Sequence, residues 1–186
     1  MAVLKDFQEM LMTGEELYRR PDLEPCELID GRIVPLAPAG PEHGEAELDL
    51  GSELRAWARS SGRGRALSGD VGIYIRRNPD TVRAPDLMYI SYERYAKREK
   101  AAYLTVVPEL AVEVLSPEDR PSAVRAKLAD YFSAGVDRVW VVDLKERRVL
   151  AYRSLTDIQE FGAGDVLTDG ELLPGFRLSL ADLFRS

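Results

Sequence analysis

The chain has 186 residues, 45% of them hydrophobic, 31% charged, and a formal net charge of -7. That is enough apolar chain to bury a substantial core, and residues 1–186 are expected to form one domain, since no internal repeat or low-complexity linker divides them. A single cysteine, Cys26, excludes an internal disulfide framework and a cysteine-based zinc site. No stretch resembles a signal peptide, and no apolar run approaches the ~18 residues that cross a bilayer, so a cytoplasmic protein without membrane contact is expected.

Negative net charge argues against a polyanionic partner, whose phosphates reward basic surfaces. The distribution of charge weakens that objection. Between Arg55 and Lys100 there are eleven basic residues and five acids, a local +6 that leaves -13 for the rest of the chain. An acidic protein with one basic sector can steer a nucleic acid to one face. Arg76, Arg77 and Arg83 are the candidate contacts in that sector.

In chain order, Thr13 with Glu16 three residues later is a capping box opening a short helix that stops before Pro21. Cys26 to Ile29 and Arg32 to Leu36 flank Asp30-Gly31, the strongest hairpin signal in the chain. Glu27 in the first arm is a strand charge that also stands where it can serve a site as an auxiliary group. Pro41 to Ser60 reads as a helix with Leu48, Leu50, Leu54 and Trp57 on its apolar side and Gly62 as the stop. His43, the only histidine, opens this helix. Alone it makes neither a zinc site nor a nucleophile pair, which leaves an auxiliary role in hydrogen bonding or phosphate contact.

Two strands are expected next, Ala66 to Ile75 and Ala84 to Ser91, with Asn78-Pro79-Asp80 turning between them. Asp86 stands at the mouth of the second, after Pro85, and its plain alternative is a turn-closing aspartate. Then comes the segment that organises the chain. Leu110, Ala111, Val112, Val114 and Leu115 form the apolar run of a strand covered on both faces, with Glu113 in its middle. After Ser116-Pro117 a helix carries Val124, Leu128, Tyr131 and Phe132 on one stripe, and Lys127 falls on that stripe too.

Glu113 lies about 10 Å back along its strand at roughly 3.3 Å per residue, and Lys127 about 10 Å along its helix at roughly 1.5 Å per residue. In a strand-helix-strand crossover the helix returns antiparallel over the strand, which brings Lys127 over Glu113. A buried ion pair is the plain alternative. An aspartate and a glutamate on neighbouring strands with a lysine nearby also constitute what a magnesium-dependent phosphodiesterase requires, because Mg²⁺ takes one or two carboxylates and leaves room for water and phosphate oxygens.

Together, Glu27-Leu28-Ile29-Asp30-Gly31, His43, Arg83-Ala84-Pro85-Asp86, Glu113-Val114-Leu115-Ser116-Pro117, the stretch from Lys127 through Tyr131 to Gly135, Val139 to Asp143, and Leu173 to Phe176 resemble a known pattern. They are similar to the PD-(D/E)XK nuclease superfamily and, within it, to the Uma-type restriction-endonuclease-like family, over nearly the whole chain. The resemblance implies an α/β fold, restriction endonuclease-like, with a central mixed β-sheet flanked by helices and an N-terminal hairpin extension. It implies a DNA-hydrolysing endonuclease using Mg²⁺, with Mn²⁺ as a substitute. Asp86 and Glu113 would be the metal ligands and Asp86, Glu113 and Lys127 the catalytic set. The superfamily's usual lysine position, two residues after the glutamate, is Leu115 here, and the resemblance implies that the lysine has moved to the following helix.

Two other classes stand beside this one: a weakly active or inactive nucleic-acid-binding module on the same fold, and a structural interaction protein. The tail supplies a strand at Arg138 to Leu144, another at Arg148 to Arg153, and Ser179 with Asp182 to cap a short last helix. Its apolar residues Leu172, Leu173, Phe176, Leu178, Leu183 and Phe184 motivate the expectation of a homodimer surface.

Overall fold

The computed structural model describes residues 11–23 and 25–185. Helix α1 (Gly14–Tyr18) opens on the Thr13 capping box, in which the threonine hydroxyl accepts from the Glu16 N–H and the Glu16 carboxylate accepts from the Thr13 N–H. Strands β1 (Cys26–Ile29) and β2 (Arg32–Pro35) pair as a hairpin across Asp30-Gly31, both at positive φ. Helix α2 (Pro41–Ser61) starts with proline in its first turn and stops at Gly62 in the left-handed conformation. Next come β3 (Gly64–Ser68), β4 (Ile73–Arg76), β5 (Thr81–Arg83), β6 (Leu87–Ser91) and the short helix α3 (Tyr92–Ala96). The core segment is β7 (Leu110–Val114), α4 (Pro121–Ala134) and β8 (Arg138–Asp143). It is followed by β9 (Arg148–Tyr152), β10 (Ile158–Gly162), β11 (Val166–Leu167), β12 (Leu178–Ser179) and α5 (Leu180–Leu183).

The central sheet is mixed and six-stranded in the order β10-β9-β8-β7-β6-β3, with β7 and β8 parallel across the α4 crossover and the other pairs antiparallel. Alternation along the strands divides its residues between two layers. Val112, Val114, Trp140 and Val142 pack with Leu50, Leu54 and Trp57 of α2 and with the tail. Ala111, Val139 and Val141 pack with Leu128 and Tyr131 of α4. A helix layer therefore covers each face, which is why β7 reads as a continuous buried run.

Four differences from the sequence reading have physical causes. The expected strand from Ala66 to Ile75 is two strands, because Gly69 and Asp70 adopt positive φ and turn the chain out of the central sheet. The segment from Ala84 to Ser91 likewise contributes to β6 only from Leu87, with Pro85 in the gap that separates it from β5. The N-terminal hairpin is not a free extension, since β1 pairs with β5 and forms a second sheet in the order β2-β1-β5-β4. Finally, Leu173, Phe176, Leu178, Leu183 and Phe184 are buried in the chain's own core, and Trp57 Nε1 donates to the Pro174 carbonyl at 3.0 Å. The tail closes one face of the sheet, which removes the exposed surface on which the homodimer expectation rested. Ser179 precedes α5 but makes no side-chain cap bond.

Leu128, 4% exposed, anchors α4 to the sheet one residue from Lys127. Leu128→Ala is expected to lower the urea-unfolding free energy by about 2–5 kcal/mol, the cost of an incompletely refilled core site. A loss under about 1 kcal/mol would mean that the helix is held in place by something other than this packing.

Candidate active site

The register of β6 and β7 sets the centre. Leu87 pairs with Val112 and Met88 with Ala111. Asp86 is the residue just before β6 and Glu113 the residue just after Val112 on β7; the Glu113 side chain meets α4, while the Asp86 carboxylate meets the backbone end of β7 and the start of α2. The Val114 N–H donates to Asp86 Oδ2 at 2.6 Å, which pins the aspartate to the end of β7. His43 Nε2, from the first turn of α2, lies 3.5 Å from the same oxygen.

Glu113 is held from above by α4. Lys127 Nζ donates to Oε2 at 2.7 Å and the Tyr131 hydroxyl donates to Oε1 at 2.5 Å. Lys127 and Tyr131 are four residues apart, hence neighbours on one helix face. Proline at the start of α4 and Gly135 at φ 97° behind it fix the ends of the helix that carries both. The length arithmetic from sequence and the observed approach of Lys127 to Glu113 agree.

A second cluster holds this helix in place from the smaller sheet. Glu27, 2% exposed on β1, accepts from Arg83 Nη1 at 2.7 Å and from the Ala84 N–H at 3.2 Å. Its Oε1 lies 3.9 Å from Lys127 Nζ. Arg83 also reaches Asp130 of α4 at 2.6 Å, and Asp130 accepts in turn from Arg76 at 3.0 Å. Lys127 thus sits between Glu113 and Glu27 while Asp130, three residues on, ties the same helix face to β4 and β5. Removing one partner from so buried a network costs several kcal/mol, because it strands the other charge.

Burial raises the Glu113 carboxyl to about 7, against a counter-pull from Lys127 and with a further push from the Asp86 carboxylate. Lys127 is shifted above its ordinary value: burial works against this, but Glu113 and Glu27 outweigh it. Tyr131 is raised well above its ordinary value by burial and by Glu113. His43 is raised by its hydrogen bond to Asp86, and Glu47, one turn along α2, is raised by burial and by Asp86. The cluster opens to solvent at Asp86 and Lys127, whose side chains are 19% and 25% exposed, and is closed at Glu113 and Tyr131.

The structure therefore brings Asp86, Glu113 and Lys127 together and adds His43 and Glu27 at their edges. It engages the three arginines in ion pairs within the chain. Arg83 is buried between Glu27 and Asp130, Arg76 bridges Asp30 and Asp130, and Arg77 pairs with Asp80 and Glu15 away from the cluster. Sequence reasoning missed Tyr131, Asp130 and Glu47. Spacing carried the signal in each case: Tyr131 and Asp130 stand four and three residues after Lys127, and Glu47 four after His43.

The chain thus has an α/β core with an aspartate before β6, a glutamate on β7 and a lysine on α4 beside the central sheet. The sequence matches the Uma2 family, described as "Putative restriction endonuclease", over residues 9–181, and the chain belongs to that family. Its fold is similar to the crystal structure of a nuclease, itself described as putative, of the DUF820 group from Anabaena variabilis ATCC 29413. The two superpose with a TM-score of 0.79 at 22% identity, covering 94% of this chain and 98% of that one. No curated protein matches the chain.

The raised Glu113 carboxyl links stability to pH. Its contribution is full below the ordinary value of 4.5 and is lost as pH rises through about 7, since the folded protein holds the proton longer than the unfolded chain. Lys127 stays charged across that window, and the His43 shift is common to wild type and variant. Urea unfolding at pH 5 and pH 8 is expected to show wild type losing up to about 3 kcal/mol more than Glu113→Gln. Equal losses would place Glu113 in a solvated setting.

Proposed function

We propose that the chain is a divalent-metal-dependent nuclease that hydrolyses DNA phosphodiester bonds, with Asp86 and Glu113 holding the cation and Lys127 acting on the phosphate. The observation that carries this reading is the hold of Lys127 on Glu113 together with the bond from the Val114 N–H, the next residue on β7, to Asp86. The donor set fits the ion. Among the described residues no three His, Cys, Asp or Glu side chains form a cage for a metal. Two carboxylates beside an open, solvent-facing edge suit Mg²⁺ or Mn²⁺, which keep water and phosphate oxygens in their remaining positions.

Bound there, the cation supplies polarisation of the phosphate and a lowered pKa for a coordinated water. The chain's own groups do the positioning. The Val114 N–H and His43 orient the Asp86 carboxylate, and Tyr131 fixes Glu113 from the buried side. Glu27 and Glu113 hold Lys127 protonated, so its Nζ acts as a fixed positive donor to the non-bridging phosphate oxygens and to developing charge, and not as a general base. Glu27 does this from a position where Arg83 and the Ala84 N–H immobilise it.

The second reading, a nucleic-acid-binding module without turnover, draws on the engagement of both Glu113 oxygens by Lys127 and Tyr131. Loading a cation requires one of these contacts to yield. Incubation of plasmid and oligonucleotide DNA with Mg²⁺ or Mn²⁺ separates the two. Cleavage by the wild type is expected, with Asp86→Ala, Glu113→Ala and Lys127→Ala each lowering the rate by about 10²-fold or more. Metal at about 100 times its dissociation constant is expected to add ~2.7 kcal/mol to wild-type stability and little to Asp86→Ala. Metal-dependent stabilisation without cleavage favours the binding module, and cleavage by the alanine variants at the wild-type rate rejects the assignment.

A further inference from the structure

The basic sector is only partly spent on internal ion pairs. Arg76, Arg77, Arg83, Arg94 and Lys97 are held by carboxylates. Arg63, Arg65, Arg98 and Lys100 have no carboxylate partner within salt-bridge distance among the described residues. Two of these lie on aromatic rings: the Arg65 guanidinium is 4.3 Å from the Tyr95 centroid and 5.5 Å from that of Tyr92, and the Arg98 guanidinium is 3.8 Å from that of Tyr95. They form an interleaved arginine and tyrosine surface on β3, α3 and the loop after it.

From this surface a groove leads toward the candidate active site. A cavity of about 700 Å³ is lined by Arg98, Lys100, Asp70, Gly72, Tyr18 and Tyr103. A second, of about 390 Å³, shares Asp70, Gly72 and Tyr103 with it and continues to Ala84. The Ala84 N–H is bound to Glu27, and Asp86 is two residues on. Tyr103 is a firm wall, because its ring lies so close to Gly72 that a β-carbon there would meet it at 2.3 Å, and it makes edge contacts with Tyr18 and Tyr74.

Two aromatic side chains among the described residues are exposed, Tyr18 at 60% on the larger cavity and Tyr92 at 48% beside Arg65. Strand register gives the separation of the groove's two ends. Arg65 pairs with Ile90 on β6, and Asp86 is four residues back along the chain, just before that strand begins. At roughly 3.3 Å per residue that is about 13 Å, or about four stacked nucleotides at ~3.4 Å each. Aromatic rings beside cations that have no carboxylate partner are what unpaired bases and their phosphates require, whereas a duplex hides its base faces.

We propose that this groove binds an unpaired nucleic-acid strand and leads it from Arg65 and Arg98, past Tyr92, Tyr18 and Tyr103, to Asp86. The proposal rests on the nuclease reading only for what happens at the far end; binding along the groove is independent of cleavage. Asp70 and Glu99 also line the larger cavity and offset Arg98 and Lys100 there, so net attraction for phosphate comes from Arg65 beside it and the cavity itself relies on stacking.

The test is a fluorescence-anisotropy titration of the full chain in EDTA with three labelled probes: an unstructured DNA strand, the same sequence as RNA, and a blunt DNA duplex. A single strand is expected to bind at least ten-fold tighter than the duplex at equal salt, and the tighter of the DNA and RNA arms identifies the sugar. Tyr92→Ala and Tyr18→Ala are each expected to weaken strand binding about five-fold or more, and Tyr92→Phe to restore it, with melting temperatures confirming the fold. Arg65→Ala combined with Arg98→Ala is expected to reduce the salt slope by roughly 1.4, about 0.7 for each lost phosphate contact. Equal affinity for duplex and strand, or strand binding unchanged in all these variants, overturns the proposal. Strand binding that depends on these residues in a protein that cleaves nothing with Mg²⁺ leaves the groove standing and the nuclease reading fallen. Cleavage with unaltered strand binding in the variants gives the reverse.

Discussion

The structure depends on a carboxylate being kept inside a sheet. Glu113 occupies a position in β7 where both neighbours are aliphatic and both faces are covered, and burial alone would drive it to neutrality. What holds it is a lysine and a tyrosine four residues apart on the helix that crosses back over the strand. The ends of that helix, its packing through Leu128 and its ties through Asp130 to Arg83 and Arg76 all constrain where those two groups can sit. A hydrophobic residue at 113 would pack more cheaply. The charge is retained at a cost, beside a second carboxylate that makes the cost larger.

That second carboxylate, Asp86, arrives from a different part of the chain. Pro85 stands in the break between β5 and β6, and Asp86, the last residue of that break, is held by the Val114 N–H at the end of β7, beside the glutamate. The two sheets meet here as well: Glu27 belongs to the smaller sheet, yet it faces Lys127 over the larger one. The site is thus assembled at a junction, with one acid from each side of the lysine and a third at the open edge. Buried ion pairs surround it, while the edge at Asp86 and Lys127 stays partly open to solvent.

Much of this was legible in the sequence where a local pattern and a misfit coincide. Glu113 within an apolar run and Lys127 on an apolar stripe were visible as exceptions, and the rise per residue of strand and helix sufficed to bring them together. Helix ends at Gly62 and Gly135 and the Asp30-Gly31 hairpin followed from backbone preferences that short stretches encode by themselves. Tyr131 was read as an apolar residue because its ring fits the stripe, although a buried tyrosine hydroxyl needs a partner just as a buried lysine does. The arginines illustrate the limit most clearly. Arg65 and Arg83 look alike in sequence, and only long-range pairing decides that Arg83 is enclosed by Glu27 and Asp130 while Arg65 lies on Tyr95 and Tyr92. Strand breaks at Gly69 and Pro85 were likewise invisible to alternation, because the hydrophobic pattern continues across them into a different sheet.

The central claim is that Asp86 and Glu113 act as a pair on a single divalent cation. The most direct measurement is anomalous diffraction from crystals of the wild type and of Glu113→Gln grown with Mn²⁺. One manganese peak in contact with both carboxylates in the wild type, absent in the variant, is the result this account predicts. A wild-type map with no manganese between them, and with Lys127 and Tyr131 still holding Glu113 at saturating Mn²⁺, would contradict it.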